Sequence, residues 1–263
     1  MNLALISILI AGASAIGFFA YSQFNSQASN EALKNAEIII NSAQAVRAYA
    51  SNQVGPLLTR QGKRSFLPQT VPAHAVKQNI KKLRTQFPQY LYREVSLSPA
   101  NPLNKAAAWE QEVIKSFQDN KSTSKLSGIT ETNTGTMLYL SKPVIVSNQS
   151  CMACHGDISA MPATIKSEYT NFKASGWKLN QIVGAQFVKI PIQVPAAQAW
   201  QSTQSFIFWL VVTTLVTGLI LIAVLNIFVV KRIKLMSRKA NAISLGSTKF
   251  GDFSINGSDE FAT

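Results

Sequence analysis

Apolar residues concentrate in two stretches, one towards each end of the chain. The first runs from Leu3 to Ala20 and the second from Phe206 to Val230. The second stretch contains no charged residue over its 25 positions, and a helix of that length crosses a hydrocarbon core of roughly 30 Å with some tilt. Trp200 and Trp209 lie near its outer end, where amphipathic rings prefer to sit. The pattern therefore predicts a transmembrane helix over residues 205–230.

The first stretch is open to two interpretations. It is similar to the apolar part of a signal peptide, with Ala13-Ser14-Ala15 as a cleavage site. Against that interpretation, no Lys or Arg precedes the stretch, and its apolar character continues through Ala20. We therefore predict an uncleaved transmembrane anchor over residues 1–22. With either interpretation, the segment that follows is exported.

Basic residues mark one side of the second stretch. Five of them follow it closely, whereas the nearest basic residue before it is Lys189. The positive-inside rule therefore places residues 231–263 in the cytoplasm of a bacterium, with the anchors in the inner membrane. Residues 23–204 then form a domain in the periplasm. The five residues are Lys231, Arg232, Lys234, Arg238 and Lys239.

Between the two stretches, three segments carry apolar residues at helical spacing. The longest predicts a helix over residues 31–54, which Gly55-Pro56 ends. The second predicts a short basic helix over residues 76–87, and the third predicts a helix over residues 105–118.

Four short apolar runs predict β-strands, and turn-forming residues separate them. The intervening segments, residues 57–75, 119–135 and 157–177, are rich in turn signals and predict irregular structure, with room for one helical turn in the last of them. The chain is thus predicted to be an α+β protein in which long helices flank a small sheet. The strands are predicted over residues 90–95, 137–140, 143–146 and 183–190.

Cys151-Met152-Ala153-Cys154-His155 is a C-x-x-C-H motif, and its two cysteines are the only ones in the chain. Each thiol can add to a vinyl group of haem, and the histidine that follows can bind the iron as the proximal ligand. The motif therefore predicts one covalently attached haem c, with Cys151 and Cys154 as thioethers and His155 as an iron ligand. Bacteria attach c-type haem in the periplasm, so the motif and the predicted topology agree.

Other chemistries use similar residues. A disulfide would also join the two thiols. A thiol-redox C-x-x-C would be expected at the start of a helix after a strand, whereas Gly156-Asp157 follows the motif at once and predicts a turn. A structural zinc site needs four ligands, and only three thiol or imidazole groups are clustered here. All three are weaker interpretations than haem.

The formal net charge of +13 raises the question of nucleic acid binding. Between the apolar stretches there are 19 Lys and Arg against 9 Asp and Glu, an excess of ten spread along about 180 residues. The sequence has no basic run with interleaved aromatic residues, and the domain is exported, so we do not expect a nucleic acid partner. An acidic ligand, an anionic membrane surface or plain solvation would each use this charge, and solvation is the default.

Three stretches occur in the same order in a known bacterial family. They are Phe66 to Ala73, Asn101 to Asn104 with Trp109-Glu110, and Cys151 to Gly156. Over residues 30–195 the chain resembles the Tll-like family of periplasmic c-type-haem sensor domains, formerly a domain of unknown function. The resemblance implies a PAS-like fold, with a central antiparallel sheet and the haem held against it.

The segment after the second apolar stretch resembles the first half of a HAMP module, a signal relay that forms a parallel four-helix bundle in a dimer. The resemblance implies a homodimer. The sequence departs from a full module because it stops at Thr263, before the second helix, so we expect a longer chain or a partner to supply the output. The matching residues are Ile233, Met236, Ala240 and Ile243 at helical spacing, Gly246 at the helix end, and the acidic pair Asp259-Glu260.

The second axial ligand of the iron is an open question. His74 is the only other histidine and lies beside the matched Pro-rich stretch, which makes it a candidate distal ligand. The alternative is an exposed or packed histidine. Met137, Met161 and Met152 are further candidates, although core or loop roles suit the first two and Met152 is poorly placed within the motif. An open or water-filled position is also consistent with the sequence.

These motifs allow two classes of function. The first is a membrane sensor, in which redox state or a diatomic gas biases the helices that leave the domain and the HAMP-like segment passes the change to a cytoplasmic signalling partner. The second is a membrane-anchored electron-transfer cytochrome with a redox partner. The HAMP-like segment favours the sensor, because an electron carrier has no need of it. No catalytic constellation stands out, so we do not expect an enzyme.

Overall fold

The computed structural model describes residues 2–58, 66–168 and 175–245. The chain divides into two compact units, one of Met1–Gln23 with Gln201–Thr263 and one of Phe24–Trp200. The strands are β1 (Leu91–Ser96), β2 (Leu126–Thr132), β3 (Gly135–Ile145) and β4 (Ile182–Pro191). The helices are α1 (Asn2–Tyr49), α2 (Gly55–Leu58), α3 (Pro72–Leu83), α4 (Ala108–Asp119), α5 (Met152–His155), α6 (Ala163–Glu168), α7 (Gln193–Leu225) and α8 (Lys231–Ser244).

The first unit contains the apolar parts of α1 and α7. Both helices are long and apolar enough to cross a membrane, by length and composition. Large apolar side chains of α7 are exposed, among them Phe208, Leu215 and Leu219, as is typical of a helix that faces lipid. A π-helical turn, Asn226–Val230, joins α7 to α8. The predicted limits 1–22, 23–204, 205–230 and 231–263 stay predictions.

The segment that resembles a HAMP module is helical where the structure describes it. α8 contains Ile233, Met236 and Ala240 and runs to Ser244, two residues before the predicted end at Gly246. Gly246 and the acidic pair Asp259-Glu260 lie outside the described residues.

The second unit is built on one antiparallel sheet. Its four strands lie in the order β1-β4-β3-β2, and every neighbouring pair is antiparallel. β2 and β3 form a hairpin, whereas β4 comes last along the chain and inserts between β1 and β3. An α+β fold with a small antiparallel sheet is therefore confirmed.

Helices cover both faces of the sheet. Successive side chains of a strand point to opposite faces, and here the strands present apolar side chains on each of them. On one face, Ile40 of α1 and Val76 of α3 pack with Leu140, Val188 and Ile190 of the sheet. Ile40 is fully buried, which is worth about 1.5–3 kcal/mol relative to exposure. The small residues of α1 on this face allow the helix to approach the strands closely; they are Ala32, Ala36 and Ala43.

The other face of the sheet is covered by α4. Ile114 and Phe117 of this helix pack with Ala185 and Phe187 of β4 and with Val95 of β1. α4 was predicted over residues 105–118 and instead begins at Ala108. The backbone of Lys105 forms a bridge with Ser96, which keeps the preceding residues in extended conformation.

Two strand predictions are wrong. Residues 119–135 contain β2, although they were predicted to be irregular. Residues 137–145 lie in one strand rather than two, and Pro143 is inside that strand. The pairing of β3 with β2 ends at Ser141, so beyond that residue β3 has a strand on one side only and tolerates a residue without an N–H group. β1 and β4 confirm the predictions over 90–95 and 183–190.

Two helix predictions need correction around the prolines. Gly55-Pro56 do not end the first helix, since α1 passes into a π-helical turn, Ala50–Val54, and then into α2. The π-helical turn shifts the hydrogen-bond ladder by one residue, which places Pro56 in a first turn that needs no N–H group there. α3 begins at Pro72 rather than residue 76, with proline at the first helical position, where its fixed φ is favourable.

Candidate functional site

The end of β3 leads directly into the C-x-x-C-H motif. The backbone N–H of Val146 donates to the carbonyl oxygen of Gln181 at 3.0 Å, and the N–H of Asn180 donates to the carbonyl oxygen of Val146 at 2.8 Å. These two bonds hold the chain that leaves β3 against the chain that enters β4. The motif is therefore anchored to the sheet at its amino-terminal side.

A short helical stretch carries the motif itself. The Asn148 side chain accepts a hydrogen bond from the N–H of Ser150 at 2.9 Å, as residues that cap helical turns do. Gln149–Cys151 form a 3-10 turn, and α5 follows at once; residues 149–155 are called the Cys-His turn below. The sequence did not predict this helical stretch. A thiol-redox C-x-x-C also sits at a helix start after a strand, so the helix does not distinguish the two chemistries. His155, directly after the second cysteine, is the residue that favours haem.

Gly156 ends the Cys-His turn for a steric reason. Its N–H donates to the carbonyl oxygen of Met152 at 2.9 Å, and a Cβ atom at this position would lie only 2.6 Å from that oxygen. Any larger residue must therefore move the backbone of the turn. The predicted turn directly after the motif is confirmed at Gly156.

A distant segment of the chain clamps His155. The N–H of Gly176 donates to the carbonyl oxygen of Gly156 at 2.7 Å, and the N–H of Trp177 donates to the carbonyl oxygen of His155 at 2.9 Å. The Trp177 indole is stacked on the His155 imidazole, with ring centroids 3.9 Å apart and an interplanar angle of 5°. Trp177 therefore holds both the backbone and the ring of His155.

The two thiols are available for chemistry. Cys151 and Cys154 are both free and half-buried. Burial raises the pKa of the Cys154 thiol, and the neighbouring Cys151 raises it further, whereas thiol-redox cysteines typically have lowered pKa values. Two reduced thiols beside an imidazole fit the donor set of a c-type haem. Among the described residues, no three His, Cys, Asp or Glu side chains are grouped as metal ligands.

The structure places His74 in the first turn of α3. Its side chain is half-buried, and its Nε2 atom lies 3.4 Å from the side-chain nitrogen of Gln78. α3 lies close to the π-helical turn Ala50–Val54, whose Asn52 accepts a hydrogen bond from the Asn148 side chain at 3.3 Å. The same π-helical turn thus neighbours both the helix of His74 and the residue that caps the Cys-His turn.

Comparison with known proteins identifies the family. The Tll0287-like family model matches residues 25–191, which is more than half of the chain and includes the Cys-His turn. The chain belongs to the Tll0287-like family. This finding confirms the resemblance inferred from the sequence at the level of the family.

The chain is similar to the crystal structure of the cyanobacterial haem protein Tll0287, with 20% sequence identity and a TM-score of 0.49. The similarity covers 61% of this chain and 95% of that one. None of the curated proteins matches the chain.

The three methionines considered as iron ligands lie at different places in this Tll0287-like domain. Met137 is buried near the beginning of β3, at the end of the strand opposite to the Cys-His turn, so it is not brought together with His155. Met161 is buried in the segment after the turn. Met152 is the first residue of α5, and its carbonyl oxygen is engaged by Gly156.

Sequence reasoning missed the residues that support the motif. Asn148 had a local signal, because Asn two residues before a serine at the start of a helical turn is a common cap. Trp177 had none, since it is separated from His155 by 21 residues and meets it only in the folded chain.

Proposed function

We propose that the chain is a membrane-anchored c-type haem sensor for redox state or a diatomic gas. The observation that carries the proposal is the Cys-His turn, which presents two free thiols and an imidazole on one half-buried stretch. Membership of the Tll0287-like family supports it, because the protein after which the family is named is described as a cyanobacterial haem protein. The PAS-like character of the domain is part of the proposal.

Three residues of the turn and two residues outside it have roles in this proposal. Cys151 and Cys154 form the two thioether bonds, and His155 is the proximal ligand of the iron. Trp177 fixes the plane of the His155 ring. When bound, haem supplies an iron that changes redox state and can take a diatomic gas at an open axial position. His74 is the proposed distal ligand, and an open position is the alternative.

A chain of contacts links the Cys-His turn to α1. The Asn148 side chain both caps the turn and donates to Asn52. Asn52 lies in the π-helical turn that directly follows α1, and π-helical insertions are frequent at functional sites. A change at the turn can therefore bias α1, whose amino-terminal part is one of the two apolar segments. α7 begins two residues after β4 ends and is the second route out of the domain.

The remaining parts of the proposal concern the location of the chain and its partners. We place the haem domain in the periplasm, the anchors in the bacterial inner membrane and α8 in the cytoplasm. The chain acts as a homodimer through its HAMP-like segment and passes the signal to a cytoplasmic partner. It is not an enzyme, and it binds no nucleic acid. The alternative function is a membrane-anchored electron-transfer cytochrome with a redox partner.

Covalent attachment of one haem is the first test. Full-length protein made with a working c-type maturation system should keep haem-stained colour on a denaturing gel, and acid acetone should not extract it. The haem-to-protein ratio should be one. Cys151→Ala combined with Cys154→Ala should remove the colour. A wild-type protein that carries no covalent haem would contradict the proposal.

A fusion separates the sensor from the cytochrome. Residues 1–232 are joined to the HAMP module and kinase domain of a reporter sensor, and kinase output is measured with oxidised, reduced and CO-treated membranes. The sensor proposal predicts that at least one treatment changes the output, and that the double cysteine variant is unresponsive. An output that stays constant, together with rapid electron exchange with a soluble redox dye, would favour the cytochrome.

A further inference from the structure

A cleft lies on the α4 face of the sheet, apart from the Cys-His turn. Its volume is about 310 Å³. The walls are formed by β1, β4, the start of α4 and the β2–β3 hairpin. Trp109, Leu91 and Met137 give it an apolar side, and Arg93, Lys189 and Glu110 bring charged groups to it.

Arg93 and Glu110 form an ion pair beside the cleft. The Arg93 guanidinium donates to both Glu110 carboxylate oxygens, at 3.0 and 3.3 Å, and to the carbonyl oxygens of Leu103 and Lys105. Glu110 is completely buried and accepts a further bond from the N–H of Ala107 at 2.9 Å. This pair therefore fastens the loop before α4 to β1, and a buried carboxylate of this kind requires such partners.

The ammonium group of Lys189 has no hydrogen bonds of this kind. Its Nζ atom forms an ion pair with Glu110, whose nearer oxygen is 3.7 Å away and thus beyond hydrogen-bond distance. The same atom lies 5.6 Å from the centre of the Trp109 ring. Its side chain is 17% exposed. Within the described part of the chain, its ammonium group makes no hydrogen bond, although it has three donors.

Lys142, on the neighbouring strand, is a lysine of similar burial whose ammonium group is hydrogen-bonded. Its side chain is 16% exposed, nearly the same as that of Lys189. However, its ammonium lies 2.9 Å from a Glu37 oxygen and donates to the Asn41 side chain at 2.9 Å. The lack of a hydrogen bond from the Lys189 ammonium is therefore local to the cleft, and Lys142 does not share it.

Four charged groups line the cleft, Arg93 and Lys189 as cations and Glu110 and Glu131 as anions, so their formal charges balance. Glu110 is shared, because its side-chain hydrogen bonds go to Arg93 and Lys189 lies only at ion-pair distance from it. Glu131, at the rim, is exposed and its carboxylate already accepts a bond from the Thr136 hydroxyl at 2.8 Å. The Lys189 ammonium therefore keeps unused hydrogen-bond donors, which an acceptor that enters the cleft can take.

We propose that this cleft binds a small organic carboxylate, with Lys189 as the residue that pairs with the carboxylate group. The apolar part of the ligand packs on the Trp109 ring and beside Leu91. A charge-assisted hydrogen bond from an ammonium to a carboxylate is stronger than a neutral one. The volume of the cleft suits a small molecule and is at the lower limit of ordinary ligand pockets.

The carboxylate site is independent of the haem proposal. β3 pairs with β4 from Met137 opposite Pro191, at the cleft, to Ile145 opposite Ile182, at the Cys-His turn. Eight residues of strand separate the two ends, roughly 26 Å. Lys189 is two residues from the end of β4 and four from the start of α7, so a bound carboxylate would act close to the second helix that leaves the domain.

Calorimetric titration of the full-length protein in detergent tests the site. The probes are acetate, propionate and benzoate, with benzamide as an uncharged analogue of benzoate and chloride at matched ionic strength. We expect at least one carboxylate to bind and to raise the melting temperature, whereas benzamide and chloride do not. In Lys189→Gln the affinity for that carboxylate should fall by about tenfold or more, and in Lys189→Arg it should largely return. Lys142→Gln removes an equally buried charge and should leave binding unchanged.

Three results would overturn the site. They are the failure of all three carboxylates to bind the wild type, equal binding of benzoate and benzamide, and unchanged affinity in Lys189→Gln. If Lys189→Gln does not fold, Lys189→Arg and the comparison of benzoate with benzamide decide the question. The haem content of every variant is measured in parallel, so a failure of carboxylate binding is distinguished from a failure of haem attachment.

Discussion

The imidazole of His155 lies flat against the indole of Trp177, with ring centroids 3.9 Å apart. The same two residues are joined by a backbone hydrogen bond of 2.9 Å. Two contacts of different kinds therefore fix one ring, and an axial ligand benefits when its orientation is fixed by groups around it. Trp177 lies outside the C-x-x-C-H motif and meets His155 only in the folded chain.

Trp177→Ala should disturb the iron ligand while haem attachment persists. Loss of the stacked ring removes about 0.5–1.5 kcal/mol of aromatic contact and frees the His155 ring to rotate, so the electron paramagnetic resonance spectrum of the ferric protein should broaden or shift. Trp177→Phe keeps a ring and should resemble the wild type. Trp200→Ala, at an exposed tryptophan, is the control. Identical spectra of Trp177→Ala and the wild type would show that the stacking does not position the ligand.

Gly156→Ala should destabilise the Cys-His turn. The added Cβ would stand 2.6 Å from the Met152 carbonyl oxygen, and relieving such an overlap typically costs about 1–3 kcal/mol. We expect a lower melting temperature and less haem-stained protein than in the wild type. Ala153→Ser, at an exposed position within the motif, should behave normally. Normal haem yield and stability of Gly156→Ala would mean that the turn relaxes without cost.

The sequence predicted the residues of the motif and most of the regular elements, because these depend on local patterns. It missed β2, because the partly buried positions of that strand include Gly128, Thr130 and Thr132 while the apolar Ile129 is exposed. It also divided β3 at Pro143. Pro143 is tolerated because β3 has no β2 partner beyond Ser141. Local sequence patterns do not show which strands pair, or how far. The distribution of acceptors around Lys189 was equally hidden, since it depends on where β1, β4 and α4 meet.

Glu37 should make the stability of the domain depend on pH. This carboxylate belongs to the part of α1 that packs on the sheet, beyond the apolar segment. Hydrogen bonds from Lys125 and then Lys142 lower its pKa from 4.5 to about 2. A carboxyl group with a lowered pKa stabilises the folded state above its ordinary pKa, and this contribution is lost as the pH falls towards the folded value.

Glu37→Gln therefore should lower the melting temperature at pH 7. The difference from the wild type should shrink as the pH is lowered from about 4.5 to about 2, measured by circular dichroism in detergent. Glu112→Gln is the matched control, because Glu112 is exposed and makes no ion pair among the described residues. A difference that stays constant over this pH range would exclude the titration of Glu37 as its cause.

The proposed topology predicts where reporters work. A reporter active only in the periplasm, fused after Lys125, should be active, and the same reporter fused after Ser247 should be inactive. The physical reason is that basic residues cluster after α7 and remain in the cytoplasm. A reporter active only in the cytoplasm provides the reciprocal control at both sites. The reverse pattern would contradict the orientation and the periplasmic attachment of haem together.

His74→Ala tests the proposed distal ligand. If His74 binds the iron opposite His155, the wild type should be six-coordinate and low-spin in both redox states, and the variant should become high-spin or bind CO readily. The absorption spectra of ferric, ferrous and CO-treated protein measure this change. Gln78→Ala removes the neighbour whose side-chain nitrogen lies 3.4 Å from His74 Nε2 and should keep the low-spin spectrum.

The outcome for His74 also bears on the type of signal. A strong imidazole ligand must leave before a gas can bind, so a low-spin wild type that loses this state in His74→Ala would favour redox sensing or electron transfer. A ferrous wild type that is already high-spin and binds CO at once would favour gas sensing and leave His74 as a packed residue at the start of α3. Unchanged spectra in His74→Ala would remove it as a ligand. The hydrogen bond between Asn148 and Asn52 would remain in that case, because neither residue depends on an iron–His74 bond.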